Sequence, residues 1–373
     1  MKVNDSYKVI IEKDKSDPRW DYFISSLEHS SHYEQSTCWA KVKEHQGWKA
    51  IRIKVLKGSE WLAGAQMLYR QLPIGGSVGR ISSGPFYKLP NDSSLDILLH
   101  SINEVAQELQ IQYVAITPYV ENAYLDELLE NYGFHPTNEV LPPLATVRAT
   151  LVLDLSKGEN ELLMDMKPET RRRIRVALKS GLSFREGDRA DLDVLFKLML
   201  MVAKKRNEKP VPASVEFFQS VWDHFYPKGY LKLFVVESQG EPVSMGLVFT
   251  FGNTVRFWKY GWSEKEGKKQ PNRLLYWEMI KWAKNNGFRF LDVVQIDPHI
   301  ANHFWLGLPV TKELQSRRLY GPTVFKMSFG GKILNFSGPW FRFQNPLIGN
   351  FYRFIAPALA RMPFAKRSRS TIV

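Results

Sequence analysis

The order of elements constrains this chain more than any single motif does. Ala50 to Val55 and Trp61 to Tyr69 read as adjacent strands joined at Lys57-Gly58-Ser59, a hairpin signal. A helix from Leu95 to Leu109 follows, then the strand Tyr113 to Thr117, then a helix from Tyr124 to Asn131 that stops at Gly133. A second pass repeats the plan about 180 residues later. A helix from Leu192 to Arg206 precedes strands Leu231 to Glu237 and Val243 to Phe251, turned at Gln239-Gly240. The strand Val255 to Tyr260 leads to a helix from Asn272 to Asn285, with Pro271 at its start and Gly287 beyond its end, and then to the strand Phe290 to Val294. Paired strands, a helix and a further strand, given twice, predict two related mixed α/β units with a cleft between them. The join is expected near Leu141-Pro-Pro143, with Thr146 to Leu155 entering the second unit as a strand.

The chain has 373 residues, enough for two domains, and its 11 Trp and 13% aromatic content favour a deep core over disorder. Fifty-one Lys and Arg against 38 Asp and Glu give a net charge of +13. Such a surface attracts polyanions, whether tRNA, nucleotide diphosphates or anionic lipid, without choosing among them. A single cysteine, Cys38, excludes an internal disulfide framework and a cysteine-based zinc cluster, fits a reducing compartment, and is expected to be a small buried residue. The N-terminus lacks the apolar segment of a signal peptide, and no apolar run reaches the roughly 20 residues of a spanning helix. The expected place is therefore the cytoplasm, with peripheral contact at the inner face of the plasma membrane.

Gly-x-Ser-x-Gly, His-Glu-x-x-His and Walker signatures are missing. His299 and His303 have ligand spacing only on a helix, which Pro298 argues against, so no metal is expected. Between Met166 and Phe184 lies a basic helix, with Thr170 as its N-cap and Gly181 beyond its end. Arg172, Arg175 and Lys179 share one face with Arg171 at its edge, and Ile174, Ala177 and Leu178 gather opposite. Glu266-Gly-Lys-Lys-Gln-Pro-Asn272 occupies the place where an acyl-CoA enzyme offers a glycine-rich pyrophosphate turn, yet holds one glycine and a proline that removes a donor.

Several of these segments resemble the Fem family of peptidoglycan-bridge aminoacyltransferases. Lys167-Pro-Glu-Thr-Arg through Gly181 is similar to the signature that opens the second of that family's two acetyltransferase-like (GNAT) domains. Gln35-Ser-Thr-Cys-Trp-Ala-Lys-Val-Lys43 looks like the family element whose lysine meets the acceptor's diphosphate, a role that falls on Lys43. Tyr260-Gly-Trp-Ser263 matches a family strand end, and Phe325-Lys-Met-Ser-Phe-Gly330 matches the motif whose lysine, Lys326, is the family's candidate catalytic cation. Asp292 matches the aspartate of a Tyr-Asp-Phe-Gly-Gly element, but here the sequence reads Leu-Asp-Val-Val-Gln and both glycines are replaced.

The resemblance implies an α/β chain of two tandem GNAT-like domains: 1–145 binding the acceptor, 146–332 binding the donor and carrying catalysis, and a basic aromatic tail at 333–373. It implies transfer of an amino acid from aminoacyl-tRNA to an amine of a UDP-linked or lipid-linked muropeptide, with no cofactor. Lys326, Tyr260 and Asp292 are the expected catalytic residues, and Lys43, Arg172, Arg175 and Lys179 the expected substrate contacts. The tail, with Met362, Phe364, Lys366, Arg367 and Arg369, reads either as a peripheral membrane anchor or, equally, as a strap packed over the domains, and the anchor is the expectation taken here. Each residue has a plainer reading: Lys326 and Lys43 as surface lysines, Tyr260 as core, Asp292 as a structural carboxylate. Two other functions fit the fold or the charge: an N-acyltransferase fed by acyl-CoA or an acyl carrier protein, and a non-enzymatic binder of tRNA or anionic membrane.

Overall fold

The computed structural model describes residues 7–13, 18–27, 31–72, 76–88, 92–119, 122–136, 148–351 and 354. They gather into two compact units, one from the residues before Arg148 together with those from Asn335 onward, the other Arg148–Leu334.

The first unit is built on a sheet in the order Tyr7–Lys13, Lys49–Lys57, Glu60–Gln71, Ser77–Ser82, Ile111–Thr117, Trp340–Phe343 and His135–Pro136, with Phe86–Tyr87 paired to Glu60–Gln71. The expected hairpin is present, with Ile51 opposite Met67 and Ile53 opposite Ala65. Ile51, Ile53 and Val55 point to one face, where helix Ser93–Glu108 presents Leu95, Leu98, Leu99, Ile102, Val105 and Ala106 at helical spacing. The intervening Arg52 and Lys54 are buried too, because helix Pro18–Ser26 covers their side. Arg52 lies 5.9 Å from the Trp20 ring, and Lys54 lies 4.4 Å from that of Trp61 and 2.6 Å from Glu12. Ser77–Ser82 and Ile111–Thr117 run parallel, a pairing that requires the crossover supplied by helix Ser93–Glu108.

In the second unit the sheet order is Lys332–Asn335, Ala149–Asp154, Phe290–Asp292, Thr254–Trp262, Glu241–Phe251, Leu231–Ser238 and Leu182–Glu186. Helices Pro168–Leu178 and Pro271–Asn285 share its core through Ile174, Ala177, Leu274, Leu275, Met279 and Ile280. Helix Asp191–Lys205 lies on Thr254–Trp262, an approach that needs Gly261, since a Cβ there would stand 2.7 Å from Leu198 Cβ and 3.1 Å from the Leu195 carbonyl.

Four expectations change. The stretch after Ile333 is not a separate tail over its described length: Lys332–Asn335 pairs in the second sheet and Trp340–Phe343 in the first, because the alternating Trp340, Phe341 and Phe343 fit a strand. Helix Pro168–Leu178 begins with Pro168 after Lys167, so Thr170 lies inside it, buried, accepting a 2.9 Å hydrogen bond from Arg273. Leu178 is 51% exposed and not part of the buried stripe. Pro298 does not prevent a helix over Pro298–Trp305; it opens it at N1, with Asp297 accepting from the His299 and Ile300 amides. The expected join at 141–143 and the basic residues of the tail lie outside the described residues.

Candidate active site

The second sheet opens where its parallel pair parts. Thr254–Trp262 and Phe290–Asp292 register only as Thr254 with Phe290, Val255 with Leu291 and Arg256 with Asp292. Beyond Asp292 the chain turns to its other neighbour, with the Val293 amide bonded to the Leu151 carbonyl at 3.0 Å and that of Ile296 to Ala149 at 2.9 Å. The Thr254–Trp262 strand continues without it. Such openings at the carboxyl ends of parallel strands are where α/β sheets place ligands.

At the opening, Val294 and Gln295 take φ of +50° and +37°. These are the two positions where the Fem pattern has glycine, and here residues that disfavour the left-handed region adopt it. Positive φ costs a β-branched residue about 1–3 kcal/mol and persists only where surroundings enforce it. Here the enforcement is visible. Asp292 Oδ1 accepts the Val294 amide at 2.8 Å, and Lys326 Nζ donates to the carbonyls of Val294 at 2.6 Å and Gln295 at 3.0 Å.

Lys326 comes from helix Tyr320–Met327, whose position is fixed by rings on either side of it. Phe325 meets Tyr276 edge-on at 5.2 Å, and the buried Phe329 stacks on Tyr276 at 5.0 Å. Lys326 is thus not a solvated surface lysine. Burial pulls its pKa down to about 8, opposed by Asp292 and reinforced by Arg206. Two of the ammonium's three donors hold carbonyls, which leaves one for an incoming oxygen.

Tyr260, near the end of the central strand, is raised well above its ordinary pKa by burial and by Tyr276, and Arg206 acts in the opposite sense. It remains a phenol at any physiological pH. Arg206 caps helix Asp191–Lys205, so the Gly261 contact that seats this helix also sets a cation beside both Tyr260 and Lys326. The sequence reading missed Arg206, although its place as the last residue of the expected helix was available. Lys259, the neighbour of Tyr260, donates to the Val211 carbonyl at 2.5 Å, and burial lowers its pKa to about 8.

Asp292 does not have the setting of a general base. It is buried, accepts from Thr150 Oγ1 and the Val294 amide, and faces buried Arg256 at 3.5 Å. It is a positioning residue for the turn. Of the expected catalytic trio, Lys326 and Tyr260 both lie within the influence of Arg206, and Asp292 holds the turn.

In the first unit, Lys43 sits on helix Thr37–Glu44, its Nζ 2.9 Å from Gln46 Oε1 and 5.0 Å from the Trp39 ring. Burial lowers its pKa; Glu34 opposes that, and Arg80 and Arg70 add to it. Arg80 is opposite Leu68 and Arg70 opposite Val78, so the two arginines are diagonal neighbours on one sheet face. Together with Lys43 they form a cationic group suited to an anion, and neither arginine was found from the sequence.

The basic helix is only partly open to ligands. Arg172 makes two 2.8 Å bonds to Glu169, and Arg173 a third at 2.6 Å; together they hold the Glu169 carboxyl down to about 2. Arg171 turns back to cap the Met166 carbonyl at 2.7 Å. Arg175 and Lys179 remain exposed. Around the turn before helix Pro271–Asn285, Glu266 has φ +58°, and its carboxylate meets Ser238 at 3.3 Å and Lys269 at 3.2 Å. The turn that a glycine-rich pyrophosphate loop would make is thus built here around a carboxylate. Among the described residues no three His, Cys, Asp or Glu side chains converge as metal ligands, and His303 Nε2 is engaged by the Pro309 carbonyl.

The model of the FemAB family matches residues 16–142, and that of the acetyltransferase (GNAT) domain matches residues 165–299. Lipid II:glycine glycyltransferase of Staphylococcus aureus is 27% identical over 214 residues, covering 54% of this chain and 49% of that protein. The chain therefore spans about half the length of the curated relatives it matches. The FemX crystal structure superimposes with a TM-score of 0.78 at 20% identity, covering 92% of this chain and 100% of the other. A tandem GNAT protein from the clavulanic acid biosynthesis pathway gives 0.51 at 11% identity over 91% and 99%. Both likenesses concern the fold. The FemAB family model falls on the first unit and the GNAT domain model on the second, and the chain, built of two GNAT-like folds, is similar to Fem-family proteins.

Proposed function

We propose that the protein is an aminoacyltransferase that moves an amino acid from aminoacyl-tRNA to an amine of a peptidoglycan precursor stem peptide, in the building of an interpeptide bridge. The observation that carries the reading is the enclosed Lys326 ammonium, two donors fixed and one available, at the opening of the second sheet. An aminoacyl ester is already activated, so the reaction needs a positioned neutral amine and a cation for the developing oxyanion more than a covalent nucleophile. The amine nitrogen attacks the ester carbonyl carbon, and the carbonyl electron pair moves to oxygen beside Lys326. Collapse reforms the carbonyl and expels the ribose hydroxyl oxygen of the tRNA, which takes up a proton. The amine's surplus proton leaves to water or to an acceptor phosphate, since Asp292 is enclosed. Tyr260 stays protonated and orients the acceptor, and Arg206 adds positive potential.

The cations Lys43, Arg70 and Arg80 of the first unit suit the acceptor's diphosphate, and Arg175 and Lys179, with Arg172, suit tRNA phosphates. Lipid II in the name of the S. aureus relative supports a lipid-linked acceptor. No helix among the described residues is long and apolar enough to cross a membrane. The Glu266 carboxylate argues against an acyl-CoA donor. Incubating the purified chain with charged tRNA and a nucleotide-linked or lipid-linked muropeptide should yield an aminoacyl amide. Acylation from acyl-CoA with none from charged tRNA would overturn the proposal.

A further inference from the structure

Large apolar side chains on protein surfaces are usually scattered singly. In the second unit four stand out between residues 305 and 310: Trp305 and Leu306, each 68% exposed, Leu308 at 47% and Val310 at 41%. The segment bearing them is tied at its base. The Leu306, Gly307 and Leu308 amides bond to the carbonyls of Asn302, Phe304 and His303 at 3.0, 3.2 and 3.0 Å, and His303 engages the Pro309 carbonyl. Gly307, at φ +65°, makes the turn. Cations flank it: Lys312 is exposed, and Arg318 is 66% exposed although it contacts Glu208 at 3.0 Å.

This segment is continuous with the candidate active site. Helix Pro298–Trp305 starts directly after the Val294–Gln295 turn, and the Asp297 amide bonds Thr323 Oγ1, on the helix of Lys326, at 3.0 Å. Phe304 lies 6.3 Å from Tyr320 at the other end of that contact. The helix that leads into the apolar segment is therefore held against the helix that carries the lysine.

We propose that Trp305, Leu306, Leu308 and Val310 form a wedge that enters the interfacial zone of an anionic lipid bilayer. A tryptophan beside aliphatic residues, followed in the chain by Lys312 and Arg318 in a protein of net charge +13, has the chemistry of an interfacial contact with such a surface. Resting on the aminoacyltransferase reading, the wedge serves the lipid-linked acceptor and is dispensable for a nucleotide-linked one.

The test uses the full chain with vesicles of phosphatidylcholine containing phosphatidylglycerol. Trp305→Ser/Leu306→Ser and Leu308→Ser/Val310→Ser should each lower vesicle partitioning by at least about tenfold, as expected for removing two apolar anchors, with thermal unfolding unchanged. Wild-type binding should largely survive high salt, which would strip a purely electrostatic contact. Transfer to vesicle-embedded acceptor should fall with partitioning, and transfer to the water-soluble acceptor should not. Equal partitioning by wild type and both variants would overturn the proposal. So would partitioning abolished only on neutralising Lys366, Arg367 and Arg369, or a loop effect confined to self-association of the chain. If wild type uses neither acceptor, the functional reading fails while the vesicle result still decides the wedge.

Discussion

The two units handle the same structural unit, a parallel strand pair joined through a helix, in different ways. In the first, Ser77–Ser82 and Ile111–Thr117 stay paired from Ser77 with Ile111 to Ser82 with Thr117, with one irregularity after Ser77. In the second, the pair parts after Arg256 and Asp292, and a lysine from a third element holds the carbonyls that the parting releases. A closed pair offers a sheet face and rim, where Lys43, Arg70 and Arg80 can attract an anion. An opened pair offers an interior with low local dielectric, where a cation acts strongly on charge that appears during reaction. The proposed division of labour between binding and chemistry rests on that difference.

The largest effect that would test it is a kinetic split between the two lysines. Lys326→Met should lower turnover by about 10²-fold to 10³-fold with little change in either substrate's affinity, as for loss of an oxyanion donor. Lys43→Met should raise the acceptor's KM with turnover nearly unchanged, the mark of uniform binding. Steady-state assays in which both variants lose affinity alone would erase the distinction.

The pH profile comes next. The attacking amine, with a lysine-like pKa of about 10.4, becomes more reactive as pH rises, while Lys326 loses its charge above about 8. Wild-type rate should therefore climb to about pH 8 and then level, and Lys326→Arg should keep rising from a lower start. Stability should rise where the rate levels. A lysine depressed to about 8 when folded leaves the unfolded chain binding more protons between about 8 and 10.4, so Lys326 and Lys259 make stability rise with pH through that window. Denaturant unfolding across it checks the sign.

Most of the second unit was legible in the sequence because its strands and helices carry strong periodicity and paired stop signals. Gly287 ends its helix as expected, at positive φ, as Gly133 does in the first unit. The site was legible only in part. Phe325-Lys-Met-Ser-Phe-Gly330 pointed to Lys326, but its grip on Val294 and Gln295 depends on a turn that sequence rules assign to glycine. Asp292 looked like a catalytic carboxylate, because no local pattern shows that Thr150 and Arg256 surround it from strands far apart in sequence. Arg70 and Arg80 converge with Lys43 through strand register, which single-residue patterns do not show. The basic helix had the right face, yet a glutamate one turn back already engages its first arginine.

That engagement sharpens a smaller prediction. Reversing the charges of Arg172, Arg175 and Lys179 should weaken tRNA binding and reduce its salt slope by about one for each phosphate no longer neutralised, with Arg175 and Lys179 contributing more than the paired Arg172. Titrations at several salt concentrations measure this, and an unaltered slope would leave the helix a solvated surface. The smallest effect is thermodynamic. Val294→Gly removes the strain of a β-branched residue at φ +50° and should stabilise the fold by about 1 kcal/mol, less what glycine adds to the unfolded chain's freedom. Thermal unfolding reads it.

The same substitution makes the most direct test of Lys326 possible, because it relieves the turn that the lysine holds. Single-turnover transfer from charged tRNA should be compared for wild type, Val294→Gly, Lys326→Met and the double variant, with unfolding followed in parallel. Chemistry at Lys326 predicts that Val294→Gly restores much of the stability that Lys326→Met removes, while transfer stays about 10²-fold or more below wild type. Recovery of wild-type transfer in the double variant would show that Lys326 serves only to hold the backbone, and would contradict its assignment as the cation of the reaction.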